Sequence, residues 1–269
     1  MNKIDYLNKF MNKYNYNLKT NNYKSNKVTI FISNHTCIRE SLFIAKILNN
    51  NIVFTTSSNS VYKKAYKEKI LNNSLYLLPL ELYGSKKYFD IYLDKLINLL
   101  KENINIIFFP EGVYTRDGNI NRAHTGVSRL IIKSLENNID FNVVPIYTKI
   151  TDNKDKASLD LNNENVEITF LKELDLKNIL DEYNKSNNKN EILHKIVDSA
   201  MKEIAKYGNI EYKCKYRNYV SKKRLFILDG KYVNKNILLS NKYFNKYSKD
   251  LEKRTYYIIK KYKENLWKQ

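Results

Sequence analysis

The stretch VTIFISNHTCIRE, residues 28–40, opens with five residues of high strand propensity and turns polar at Ser33, Asn34 and His35. A short run of this kind, without alternation of apolar and polar side chains, predicts a strand buried on both faces. A helix is predicted from about Arg39 to Leu48. Together they form one half of a βαβ unit. Asn34 and His35 then stand at the C-terminal end of the strand, where open α/β sheets bind their ligands.

The pattern repeats outward. Residues 52–56 (IVFTT), 74–78 (SLYLL), 104–109 (INIIFF), 142–147 (NVVPIY) and 166–171 (VEITFL) have strand character. Helical spacing of apolar residues runs through 86–102, 125–136 and 190–206, and a more polar helix is predicted at 60–71. This alternation predicts an α/β fold with a mixed, mostly parallel sheet flanked by helices. The prolines at 79, 110 and 145 fall within or just after predicted strands, which suits strand ends or sheet edges because proline cannot donate to a ladder. Residues 4–14 gather Ile4, Leu7, Phe10, Met11 and Tyr14 on roughly one helical face, which suits a membrane-surface helix or one packed on the domain. After Gly208 the chain becomes rich in Lys and Tyr, with a hairpin predicted over 224–233, turning at Asp229-Gly230, and a basic helix over 242–267. The expected organisation is an N-terminal amphipathic segment 1–24, a main domain 25–206 and a basic C-terminal extension 207–269.

Charge narrows the partners. The formal net charge is +19, and residues 207–269 hold 17 Lys and Arg against 5 Asp and Glu. Anionic lipid, nucleic acid or an acidic carrier protein could meet such a surface. The 23 tyrosines could stack on bases, but no nucleic-acid fold motif accompanies them, so nucleic acid is not the expected partner. Two cysteines, Cys37 and Cys214, form neither a disulfide framework nor a metal-ligand spacing, so no metal is expected and a reducing compartment fits. The N-terminus lacks a signal-like apolar core, and no apolar run approaches the roughly 20 residues that span a bilayer. These features favour a cytoplasmic protein, peripheral on the inner face of the membrane.

The chemistry centres on His35 and Glu40. On one continuous helix, positions five apart diverge by about 140°, so His35 must precede the helix if Glu40 is to reach its ring. The carboxylate then accepts from one imidazole nitrogen, and the other can take a proton from an attacking hydroxyl. Cys37, between them, could instead offer a thiol nucleophile. His124, before Thr125-Gly126, has the placement of a helix-capping residue, and His194 that of a structural one.

The ordered set Asn34-His35-x4-Glu40, Phe109-Pro110-Glu111-Gly112, Arg116-Asp117-Gly118 and Val143-Val144-Pro145 resembles the lysophosphatidate/glycerol-3-phosphate acyltransferase family over roughly residues 25–206. The resemblance implies that His35 is the catalytic base and Glu40, in place of the family's Asp, its acidic partner. It places Asn34, Glu111, Gly112, Tyr114 and Arg116 on the substrate side. It implies an O-acyltransferase that needs no cofactor. Acyl-CoA or an acyl carrier protein would be the acyl thioester donor, and a glycerolipid such as lysophosphatidate the acceptor. Two departures bear on the acceptor. Val113 and Tyr114 follow FPEG where the family has Thr-Arg, and Leu77-Leu78-Pro79-Leu80 lacks the family's arginine at the end of the third strand. Because the family's arginine after FPEG binds the acceptor phosphate, Arg116, Arg122, Lys86, Lys87 or Arg39 must substitute for it, or the acceptor is a hydroxyl or amine without phosphate.

Overall fold

The structure is a computed structural model. It describes residues 2–58, 61, 66–81, 86–115, 118–151, 154–213, 226–228, 231–233 and 240–266. A seven-stranded sheet orders β2 (Val28–Ser33), β3 (Ile52–Ser57), β4 (Tyr76–Leu80), β5 (Asn105–Phe108), β6 (Phe141–Thr151), β7 (Glu164–Phe170) and β1 (Tyr16–Thr20) as β1-β7-β6-β2-β5-β3-β4. Every pairing is parallel except β6 with β7. The sheet is thus mixed and mostly parallel, as the alternation of elements predicts.

Strand β2 is buried along its whole length, and successive side chains go to opposite layers. Ile30 and Ile32 join the core beneath α4 (Lys86–Lys101), α5 (Gly126–Glu136) and α7 (Lys189–Gly208). Phe31 joins the core beneath α1 (Lys3–Met11), α2 (Glu40–Ile47) and α3 (Tyr66–Ser74). A short helix, α6 (Ile179–Lys185), contacts α5 and α7.

The N-terminal segment expected to end at residue 24 contributes to the sheet instead. Leu7 and Met11 of α1 are fully buried, so that helix packs on the domain. Strand β1 pairs with β7 from Tyr16↔Glu164 to Thr20↔Ile168. Asparagines at 49, 50, 103, 138 and 209, which follow α2, α4, α5 and α7, adopt left-handed backbone angles. Asn tolerates that region through local hydrogen bonding, and here it ends helices where glycine is usual.

The proline placements have separate physical reasons. Pro79 lies in β4, the edge strand. Pro145 accepts from Leu171 N at 2.9 Å, one residue beyond the end of β7. Since N–H and C=O of one strand residue point the same way, the donor that Pro145 lacks falls where the ladder has already stopped.

Beyond residue 213, the short strands β8 (Phe226–Leu228) and β9 (Lys231–Val233) pair antiparallel, as the predicted hairpin requires. Its turn, Asp229-Gly230, lies outside the described residues. The last helix, α8 (Asn241–Leu266), lies against α4 and β4. It buries Tyr243, Tyr247, Leu251 and Ile258 in the core shared with α4. Tyr247 Oη accepts from Glu81 N at 3.2 Å and donates to Pro79 O at 2.9 Å. One hydroxyl therefore satisfies two backbone groups of the edge strand and its exit, where a further strand would otherwise pair. At the other end, Tyr262 Oη donates to Asn103 O at 2.9 Å and Lys263 pairs with Glu102 at 2.7 Å. No described helix is long and apolar enough to cross a membrane.

Because Leu251 is fully buried in the main core, Leu251→Ala is expected to lower the stability of the whole domain by about 2–5 kcal/mol. Chemical denaturation followed by circular dichroism measures this. A loss confined to a small separate transition would show that α8 folds independently of the sheet.

Candidate active site

The site follows from strand order. Strands β2 and β5 are parallel neighbours with Ile32 opposite Phe108, so the loops after them leave the same edge side by side. One carries Asn34 and His35, and the other Phe109 to Gly112. Strand β6 flanks β2 on its other side, with Ser33 opposite Ile146, which brings Thr148 to the same edge.

His35 precedes α2, as the spacing argument requires. Its Nδ1 is hydrogen-bonded to Glu40 Oε1. The second carboxylate oxygen, Oε2, accepts from Thr36 N at 2.8 Å, Thr36 Oγ1 at 2.6 Å and Cys37 N at 3.3 Å, and lies 3.3 Å from Thr148 Oγ1. Glu40 is wholly buried and sits in the first turn of α2, where the helix dipole favours a negative charge. With Nδ1 held by the carboxylate, Nε2 is the ring nitrogen left to act as acceptor. The ring stacks on Phe109 (centroids 4.4 Å apart, 25°) and meets Tyr114 edge-on (4.4 Å, 66°). The side chain is 18% exposed, which leaves it accessible from a cleft of 1180 Å³ that it lines together with Gly112, Val113, Tyr114 and His124.

Several residues expected to meet substrate also hold the loops together. The Asn34 carboxamide donates to Thr148 O and accepts from Thr148 N, both at 2.8 Å, tying the histidine loop to β6. The buried Glu111 accepts from His35 N at 2.8 Å through Oε1 and from Asn121 N at 2.8 Å through Oε2. Thr115 N donates to His35 O at 2.8 Å, so the backbone of the histidine is fixed on both sides. Gly112 has a φ of +70°, and a Cβ there would lie 3.7 Å from the His124 ring. Its absence of a side chain serves the left-handed turn.

Burial pushes Glu111 up to about 7, while hydrogen bonds from Asn121 and His35 and the charge of His35 pull the other way. Burial, followed by the nearby Glu40 charge, raises the Cys37 thiol to about 12. That thiol is fully buried, so it is poorly suited to act as a nucleophile. Burial also raises Tyr114, with Glu40 the next cause. His124 is lowered by burial and by its neighbour His194.

Of the basic residues proposed for an acceptor phosphate, Arg39 is fully buried and paired with Glu164 at 2.5 Å. Lys87 contacts Asn241 at 3.3 Å and lies over the Phe244 ring at 4.3 Å. Arg116 and Asp117 lie outside the described residues. Unforeseen in the sequence are the apolar lining from β3, β4 and α3, including Phe54, Leu71 and Leu77, and the loop 154–157. The first has only core-like periodicity. The second follows His35 by more than a hundred residues, and only the position of β6 beside β2 brings them together. Among the described residues, no group of His, Cys, Asp and Glu could hold a metal ion.

The fold and the sequence both have known counterparts. The family that matches is Acyltransferase, over residues 15–149, half of the chain, and the protein belongs to that family. Among solved structures it is similar to the 1-acyl-sn-glycerophosphate (LPA) acyltransferase PlsC from Thermotoga maritima. The TM-score is 0.52 and the identity 16%, with 78% of this chain and 81% of that one covered. At that identity the likeness is one of fold. No curated protein matches.

The raised Glu111 carries a pH signature. Its folded value exceeds the ordinary 4.5, so between those limits the native state holds a proton that the unfolded chain has released. Stability contributed by this group therefore falls as pH rises from 4.5 to about 7. Glu111→Gln cannot ionise and should lack that part of the slope, even if its amide lowers stability overall by misplacing a donor. Thermal melts across pH 4–8 test it, and an unchanged slope would refute it.

Proposed function

We propose that this acyltransferase moves a fatty-acyl group from acyl-CoA or an acyl carrier protein to the hydroxyl of a glycerolipid acceptor such as lysophosphatidate, with His35 as general base. The observation that carries the proposal is the His35 Nδ1–Glu40 hydrogen bond at the floor of a largely apolar cleft. In this reading Nε2 takes the acceptor proton as its oxygen attacks the thioester carbonyl. The imidazolium is stabilised by the Glu40 carboxylate and returns the proton to the departing thiolate, giving an ester and a free thiol. The carboxylate acts by orienting the ring and holding its charge, without itself leaving its hydrogen-bonded seat. Thr36 and Thr148, which hold Glu40, are positioning residues.

His35→Ala should lower turnover by about 10²–10⁴ with the fold retained, while the melting temperature drops because the ring stacks on Phe109 and satisfies the buried Glu40 carboxylate. Thioester release, followed with a thiol reagent in the presence of acceptor, measures this. Near-wild-type turnover would rule out His35 as the base.

A second reading, an acceptor hydroxyl or amine without phosphate, is favoured by Tyr114 edge-on to His35 where the related sequences carry an arginine. Comparable rates with lysophosphatidate and with its dephosphorylated analogue would support it.

Access to amphiphilic substrates calls for a membrane surface, and we place the protein on the anionic inner face as a peripheral protein. The support is the outer face of α8, where Lys242, Lys246, Lys249, Lys253 and Lys260 are exposed while the opposite face is packed. Each such lysine can contribute about 1 kcal/mol near an anionic surface, and less as salt rises. Changing Lys249, Lys253 and Lys260 together to Glu should weaken co-sedimentation with anionic vesicles at low salt and leave binding to neutral vesicles unchanged. Equal binding of the wild-type protein to both vesicle types would remove the membrane role of this face.

A further inference from the structure

The loop between β6 and β7 enters the cleft beside the histidine loop. Residues 154–157 line the cleft together with His35 and Ile38. The two loops are joined directly, since Ile38 N donates to Lys156 O at 2.9 Å. Arg39 reinforces the junction from below. Its Nη1 donates to Asp155 O at 2.7 Å and to Ser158 O at 3.0 Å, one carbonyl on each side of Lys156. Arg39 is itself fixed, wholly buried against Glu164 at the start of β7. Within the loop, Ser158 N donates to Asp155 O and Ala157 N to Asp155 Oδ1, at 2.8 and 2.7 Å. The backbone is therefore held at the Lys156 carbonyl and at the carbonyls of Asp155 and Ser158 that flank it.

The two lysines of this loop differ. Lys154 Nζ is occupied by Asp160 Oδ2 at 3.1 Å and by the carbonyls of Asp160 and Asn162. Lys156 is half-buried, and its ammonium makes no hydrogen bond or ion pair among the described residues. A five-bond anchor thus seats, at the wall of the reaction cleft, a lysine whose ammonium has no partner among the described residues, and an anionic group of a ligand would complete it. An ammonium on a flexible stem meets a phosphate as a point charge with three donors and does not need the fixed fork of a guanidinium.

We infer that Lys156 binds a substrate phosphate in the acyl-transfer cleft, with Arg39 and Glu164 as the positioning pair that seats its loop. The inference rests on the reading of this cleft as the site of acyl transfer. The phosphate could be that of the acceptor or one carried by the thioester donor, and binding measurements separate the two.

The full-length protein would be titrated calorimetrically with two matched pairs. One is short-chain lysophosphatidate, below its micelle concentration, and the corresponding monoacylglycerol; the other is CoA and pantetheine. Wild type, Lys156→Ala, Lys156→Arg and the neighbouring control Lys154→Ala would be compared. A charge-assisted contact of this kind is expected to be worth about tenfold or more in affinity. Lys156→Ala should lose that factor for the phosphate-bearing member of one pair only, Lys156→Arg should retain most of it, and the phosphate-free members should bind unchanged. Loss confined to lysophosphatidate assigns the acceptor phosphate, and loss confined to CoA assigns the donor. Unchanged binding in Lys156→Ala, equal loss for both members of a pair, or wild-type protein that does not distinguish the members of either pair would overturn the inference. These readouts need no turnover, so a failure here is separate from a failure of the His35 assignment.

Discussion

The buried carboxylate of Glu40 is the constraint around which the cleft end of the sheet is built. An ionised group taken out of water is costly unless its lone pairs are satisfied. Here the necessary donors come from three sources: the turn at Thr36 and Cys37, the histidine ring, and a hydroxyl on β6. These partners can converge only if the turn after β2 closes tightly and if β6 lies beside β2. The same contacts that satisfy the charge therefore fix the ring. Glu in place of Asp extends the side chain by one methylene, and the turn at Thr36 and Cys37 accommodates the added reach.

A second carboxylate, Glu111, does for the loops what Glu40 does for the ring. It joins the backbone at His35 to that at Asn121, so the turns after β2 and β5 behave as one piece. Arg39 and Glu164 extend this connection to the far side of the cleft. The result is a rigid frame in which most of the polar groups face protein and His35 faces the cavity. Rigidity of this kind suits a reaction whose rate depends on holding a hydroxyl, a base and a thioester in line.

Much of the fold was legible because strands buried on both faces carry dense apolar runs, and β2, β5 and β6 lie at the centre of the sheet. Strand β1 was missed because Tyr16–Thr20 is an edge strand with mostly exposed side chains and no apolar run. Helix α6 was missed because only Ile179 of its seven residues is buried. The asparagines that end helices are masked in a chain where asparagine is common. At the site, the spacing of His35 and Glu40 was readable because both belong to one local turn. The tasks of Asn34, Glu111 and Arg39 were not, because each is defined by a partner more than seventy residues away. Motif membership pointed Asn34 and Glu111 toward substrate contact, and the geometry adds that both side chains brace the backbone.

The way α8 closes the edge of β4 bears on the order in which the protein is made. The sheet strands are all synthesised by residue 170, yet the hydroxyl that satisfies Pro79 O and Glu81 N belongs to Tyr247. A chain still emerging from the ribosome would therefore have its cleft-forming strands assembled while one side of the sheet stood open to pairing with another nascent chain. Completion of the last helix ends that interval. The C-terminal residues thus act as an internal guard against association during synthesis, and a chain terminated before Tyr247 would carry its exposed edge permanently.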